Sequence, residues 1–186
     1  MRLWLGIGKA VVVGAFFCLC AVMWGRVEGV GSPWLGLFGM FYFMGTAKSA
    51  EPQLLFRMPG GLRAVDLNAT RAGTQDRWGI RRFGSFLRNT PFRYLNNSVY
   101  LTGRAQNLPE LLRKVESAEA IHFWAAVLFT PYIAYIAFRG LFAEALLFVL
   151  IQVAFNLYPI LHLRLVRARL TRLLDFRRDQ ASAVVQ

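Results

Sequence analysis

The chain has 186 residues, 56% of them hydrophobic and only 17% charged, with a net charge of +12. A soluble fold of this size has too little interior for several long uncharged runs, and a mean hydropathy of +0.40 with sixteen Phe, five Trp and six Tyr points to the membrane class. Nucleic acid is not the expected partner of the positive charge, because no nucleic-acid-binding motif stands out. Twelve of the 22 Lys/Arg lie in Lys48–Lys114 and six in Arg164–Arg178. Basic segments beside apolar runs mark a cytoplasmic face and anionic headgroups instead. Cys18 and Cys20 sit in an apolar run without a CxxC spacing, so they read as small buried hydrophobes and no metal site is expected.

The first apolar run follows a short basic start, Arg2 and Lys9, and gives a span at about 5–25. A cleaved signal peptide is the rival reading, but the run is long and no clean Ala-x-Ala site follows. Gly25 to Gly31 makes a short turn. Ser32-Pro33 then suits a helix start, and a second span is expected at about 30–47, with Gly36, Gly39 and Gly45 available for close packing. A re-entrant or interfacial placement of this second run also fits.

Residues 48–118 form a basic connection on the cytoplasmic side. Its start is punctuated by Pro52, Pro59-Gly60-Gly61, Asn68 and Gly73. Within Asp76–Asn89, Trp78, Ile80, Phe83, Phe86 and Leu87 recur at roughly helical spacing among arginines, which predicts a short amphipathic helix at the membrane surface. Thr90-Pro91 should end it, and Phe92–Gly103 reads as a loop or re-entrant piece. Asn107 with Glu110 forms a capping box ahead of a Leu108, Leu111, Leu112, Val115 stripe. That helix is expected to run into a third span at 119–138, kinked at Pro131. Arg139-Gly140 makes a turn, a fourth span covers 141–163, and a basic tail occupies 164–186. The chain thus reads as one all-α polytopic membrane domain, residues 1–186, of about four transmembrane helices plus an amphipathic interfacial segment. The Lys/Arg distribution puts both termini in the cytoplasm, with Arg26 and Arg139 outside.

Polar residues inside such spans are expensive unless they face protein or water. Glu116, Glu119 and His122 are successively three apart and share part of one helix face. His122 with an orienting Glu119 could form a general acid–base pair. A hydrogen-bonded structural pair fits the same spacing. Gln152, Asn156, Tyr158, Pro159 and His162 interrupt the fourth run. Asn156 could brace the break that Pro159 imposes near Phe155, or contact a substrate. Arg164, Arg167 and Arg169, like Arg81, Arg82, Arg88 and Arg93, serve either as membrane anchors or as a cationic wall for phosphate groups.

Asn156–Leu170, NLYPILHLRLVRARL, resembles the C-terminal signature of a small membrane family, the glycosyl-4,4'-diaponeurosporenoate acyltransferases. Asn156, Tyr158, Pro159, Ile160, Arg164, Arg167, Arg169 and Leu170 keep the pattern, whereas Leu163, Leu165 and Val166 replace its usual Gln, Tyr and Asn. Trp78-Gly79-Ile80-Arg81-Arg82-Phe83, then Thr90-Pro91-Phe92-Arg93 and Leu95-Asn96, are similar to the family's basic segment. Glu119-x-x-His122 is similar to its acid-and-histidine helix start. The resemblance implies transfer of a fatty acyl group onto a hydroxyl of a glycosylated carotenoid or similar lipid. It implies His122 as base and Glu119 as its partner. Asn156 and Tyr158 would face substrate, and the arginines the donor's phosphates. No tightly bound cofactor is implied, and acyl-CoA or another acyl thioester would be co-substrate. Membrane lipids are the expected surroundings, in a bacterial inner membrane. The competing reading is a non-catalytic small subunit or assembly factor of a protein or pigment complex.

Overall fold

The computed structural model describes residues 2–29, 32–50, 55–64, 79–90 and 107–184. Residues 91–106 and Asp76–Trp78, which carry several of the readings above, lie outside them, as do the side chains of Arg81 and Arg88. Among the described residues every regular element is helical. They are α1 (Arg2–Glu28), α2 (Trp34–Ala50), α3 (Gly60–Arg63), α4 (Ile80–Asn89), α5 (Leu108–Phe138), α6 (Phe142–Gln152), a π-turn (Val153–Leu157) and α7 (Tyr158–Val184).

Among the described residues three runs are long and apolar enough to cross a membrane: Trp4–Glu28, Leu108–Phe138 and Phe142–Gln180. The protein is a polytopic helical membrane protein. α2, the second expected span, has 17 residues, which at about 1.5 Å per residue falls short of a ~30 Å hydrocarbon layer. The fourth run and the basic tail beyond residue 163 share one helix, Tyr158–Val184. The helix interrupts itself earlier, at the π-turn, and then continues to Val184. Pro159 accounts for the place, since it has no N–H to return to the turn before it.

The chain divides into two compact units. The first comprises Met1–Phe56 and Ala120–Leu157. In it, Phe17 of α1 meets Phe38 and Tyr42 of α2 with ring centroids 5.6 Å apart. Gly45 admits Phe17: a Cβ there would lie 3.1 Å from its ring. The core joins Met40, Ala125, Phe129, Ile136, Ala145 and Phe148. Trp34 stands edge-on to Phe148 at 5.5 Å. Gly36 faces the Tyr132 ring so closely that any side chain would overlap it, and Tyr132 donates its hydroxyl to Pro33 O at 3.1 Å. The other side of α1 leaves Trp4, Val11, Val12, Phe16, Leu19 and Met23 exposed, as a lipid-facing helix should. α5 ends as its sequence asks. Gly140 adopts φ +79°, its N–H bonds Ala137 O, and Leu141 N–H bonds Ile136 O. This is a Schellman closure, which needs a residue without a Cβ at the left-handed position.

The second unit comprises Arg57–Glu119 and Tyr158–Gln186. Asn107 O accepts the first α5 amides, those of Glu110 and Leu111, both at 3.0 Å. The Leu108, Leu111, Val115 stripe packs with Ala118 against Leu163 and Leu170 of α7. α4 turns its apolar face onto α7: Phe83 lies 5.4 Å from Tyr158 and 6.2 Å from His162, while Arg82 and Phe86 are exposed. Gly84 makes this approach possible. A Cβ there would sit 2.5 Å from Cε1 and 2.8 Å from Nδ1 of His162. Gly84→Ala gains about 1 kcal/mol of helix propensity but overpacks a buried ring, at a cost of roughly 1–3 kcal/mol. A lower melting temperature in detergent is the expected result. A rise would mean that α4 does not pack on α7 in this way.

Candidate functional site

The second unit holds a row of charges whose spacing follows from two helices. Glu116 and Glu119 are three apart on α5, and Arg164 and Arg167 are three apart on α7, so each pair occupies neighbouring turns of one face. The two faces meet. Arg164 donates Nε–H to Glu119 Oε1 at 2.8 Å. Arg167 places Nε 3.2 Å from Glu119 Oε2 and Nη1 3.6 Å from Glu116 Oε1. At the end of α3, Arg63 reaches Glu116 through both Nε, at 3.3 Å, and Nη2, at 3.0 Å. The signs alternate from Arg63 through Glu116, Arg167 and Glu119 to Arg164. Three guanidinium groups and two carboxylates leave one net positive charge.

Burial decides what each member contributes. The side chain of Arg63 is 52% exposed, so its pair with Glu116 is worth little on its own. Glu119 is fully buried and Arg167 is 3% exposed. Removing either charge from water costs several kcal/mol, and only close partners offset that. The Arg167–Glu119 contact lacks hydrogen-bond alignment. Glu119 Oε2 and Arg167 Nη2 have no hydrogen-bond partner among the described residues. Arg164, 35% exposed at its side chain, also donates Nη2–H to Leu62 O at 2.8 Å. It thus combines an end anchored on the buried Glu119 with access to solvent or headgroups.

The expected site residues therefore fall into groups. Glu119, Arg164 and Arg167 come together. Both oxygens of Glu119 face guanidinium groups, a pairing that its spacing to His122 does not suggest. Arg169 and Arg82 are exposed, and Tyr158 is half-buried beside Phe83. His122 is half-buried on α5 and Asn156 is fully buried in the π-turn, both in the first unit. Asn156 Nδ2 donates to Gln152 Oε1 at 2.6 Å and lies 3.2 Å from Met40 Sδ. Gln152 in turn bonds Ala126 O at 2.8 Å. Arg63 is a participant that sequence reasoning missed, and Gln152 one to which it gave no role. Gln152 was visible beside Asn156 as one of two amides in an apolar run, whereas Arg63 lies in a stretch without periodicity.

The long apolar helices make the chain an integral membrane protein, and its second unit holds a row of acids and arginines in which Glu119 and Arg167 are buried. The sequence profile of the glycosyl-4,4'-diaponeurosporenoate acyltransferase family matches residues 67–176. The chain belongs to that family. The match includes Glu116, Glu119, His122, Asn156, Arg164, Arg167 and Arg169, and leaves out α1, α2 and Arg63. No curated protein and no solved structure matches the chain.

Proposed function

We propose that the chain is a membrane O-acyltransferase that moves a fatty acyl group from a thioester to a hydroxyl of a glycosylated carotenoid or a similar lipid. The family match over residues 67–176 carries this reading. In the reaction the acceptor oxygen attacks the thioester carbonyl while His122 takes its proton. The tetrahedral intermediate then expels the thiolate, which recovers that proton from His122. The products are one ester and one thiol. Glu119 serves by fixing Arg164 and Arg167 from within the protein. Arg164, with Arg167, Arg169, Arg81 and Arg82, supplies positive charge for the phosphates of a donor such as acyl-CoA. Asn156 and Tyr158 contact substrate. The topology that suits this chemistry has α2 as a fourth, short span and both termini with the basic segments in the cytoplasm, where soluble thioesters are available.

The test uses the full chain purified in lipid nanodiscs with an acyl thioester and a long-chain alkyl glucoside. Wild type should release thiol and form ester in equal amounts. His122→Ala, at unchanged folding, should lower the rate by roughly 10²–10⁴-fold, the usual contribution of a general base. Equal rates would remove His122 from the reaction.

A further inference from the structure

One hydrogen-bond chain in the first unit has its polarity fixed by a group that can only accept. Ala126 O receives Gln152 Nε2–H at 2.8 Å and the Thr130 hydroxyl at 2.8 Å. A backbone carbonyl gives no proton. Gln152 must therefore turn its nitrogen toward α5 and its oxygen away. That oxygen lies 2.6 Å from Asn156, so Asn156 must present its Nδ2 there. The second hydrogen of the same amide has Met40 Sδ at 3.2 Å. Both donors of Asn156 are used, and the Ala126 end of the chain excludes the flipped amide. What remains is Oδ1. It is fully buried, and among the described residues nothing donates to it. A buried amide oxygen without a donor is costly in an apolar span. It stands in the π-turn, a local geometry that recurs at functional sites.

The geometry points to Asn156 as a hydroxyl-recognising residue: its Oδ1 accepts a hydrogen bond from a hydroxyl of an amphiphilic ligand inside the membrane. On the acyl-transfer reading, on which the ligand's identity rests, that ligand is the glycosylated acceptor and not the thioester. A thioester carbonyl has no proton to give, and the Asn156 N–H groups that could polarise it already have partners. The site should therefore separate a free sugar hydroxyl from its methyl ether.

Infrared difference spectroscopy on the full chain in nanodiscs, with carbonyl-labelled asparagine, tests this. The probes are a long-chain alkyl glucoside and its fully O-methylated counterpart. Without ligand, the protein should show an asparagine carbonyl band at the frequency of a non-hydrogen-bonded amide. The glucoside should shift it down and the methylated compound should not. Asn156→Leu should lack the band and bind the glucoside about tenfold more weakly, the effect of one hydrogen bond in a dry site. Gln152→Leu, which removes the brace that fixes the direction of the Asn156 amide, should lower the melting temperature and weaken the preference for the glucoside. No shift in wild type would overturn the inference. So would a band already hydrogen-bonded and sensitive to D2O before ligand is added, the mark of a resident water. The wild-type spectra decide the matter even where Asn156→Leu does not fold. Ester formation in the same samples separates the two readings. A shifted band without ester keeps the hydroxyl site and removes the reaction, and ester with an unmoved band does the reverse.

Discussion

Glu119→Gln is expected to lower the stability of the protein by about 3–5 kcal/mol, the cost of leaving buried charge without its partner. The substitution preserves shape and removes only the charge. Arg167, 3% exposed, then keeps Glu116 as its charged partner at 3.6 Å, and Arg164 has at most a neutral amide oxygen where the carboxylate accepted at 2.8 Å. The net charge of the row rises from one to two. Thermal unfolding in detergent, followed by the loss of monodisperse protein, reads the effect. A second variant separates charge from shape. Arg167→Met combined with Glu119→Gln should be less destabilised than the sum of the single changes, because the pair leaves together and an apolar side chain fills the space. Strict additivity would show that the two groups do not sense each other.

Gly36→Ala should be nearly as costly, for a different reason. The added methyl overlaps the Tyr132 ring, which cannot simply turn aside. It stacks on Phe129 at 5.8 Å and is tied to Pro33 O by its hydroxyl at 3.1 Å. Phe129 in turn meets Phe148 at 5.8 Å, so displacement spreads through the core of the first unit. A loss of about 3 kcal/mol is expected, at the upper end of ordinary overpacking. The double variant Gly36→Ala with Tyr132→Ala should recover part of it, since the second change opens the room that the first requires. If Gly36→Ala melts at the wild-type temperature, α2 and α5 are not as close as described.

The helices were legible because apolar length and periodicity are local properties of the chain. Ala10–Gly25 and Ala120–Phe138 announce long helices by the absence of charge alone. The Asn107 and Glu110 pair marks where α5 starts, and Gly140 marks where it stops. The amphipathic α4 was visible in the spacing of Ile80, Phe83 and Leu87, and its inner face does meet protein at Tyr158 and His162. The partners of Glu119 were not legible. Spacing along one helix brought forward His122, its neighbour in sequence, whereas Arg164 and Arg167 lie more than forty residues on. Pairing across helices depends on rotation and depth, which a run of hydrophobic residues does not encode. The π-turn escaped for a related reason. Pro159 announces a disturbance, but one extra residue in the turn is a choice made by the surrounding packing.

Extracts of lipids and pigments from cells with and without the chain bear most directly on the acyl-transfer reading. Mass spectrometry should show one series of acylated glycolipids only where the chain is present, and the matching free-hydroxyl glycolipid accumulating where it is absent. His122→Ala should reproduce the deficient pattern at an unchanged amount of protein. Identical extracts from both kinds of cell would contradict the account.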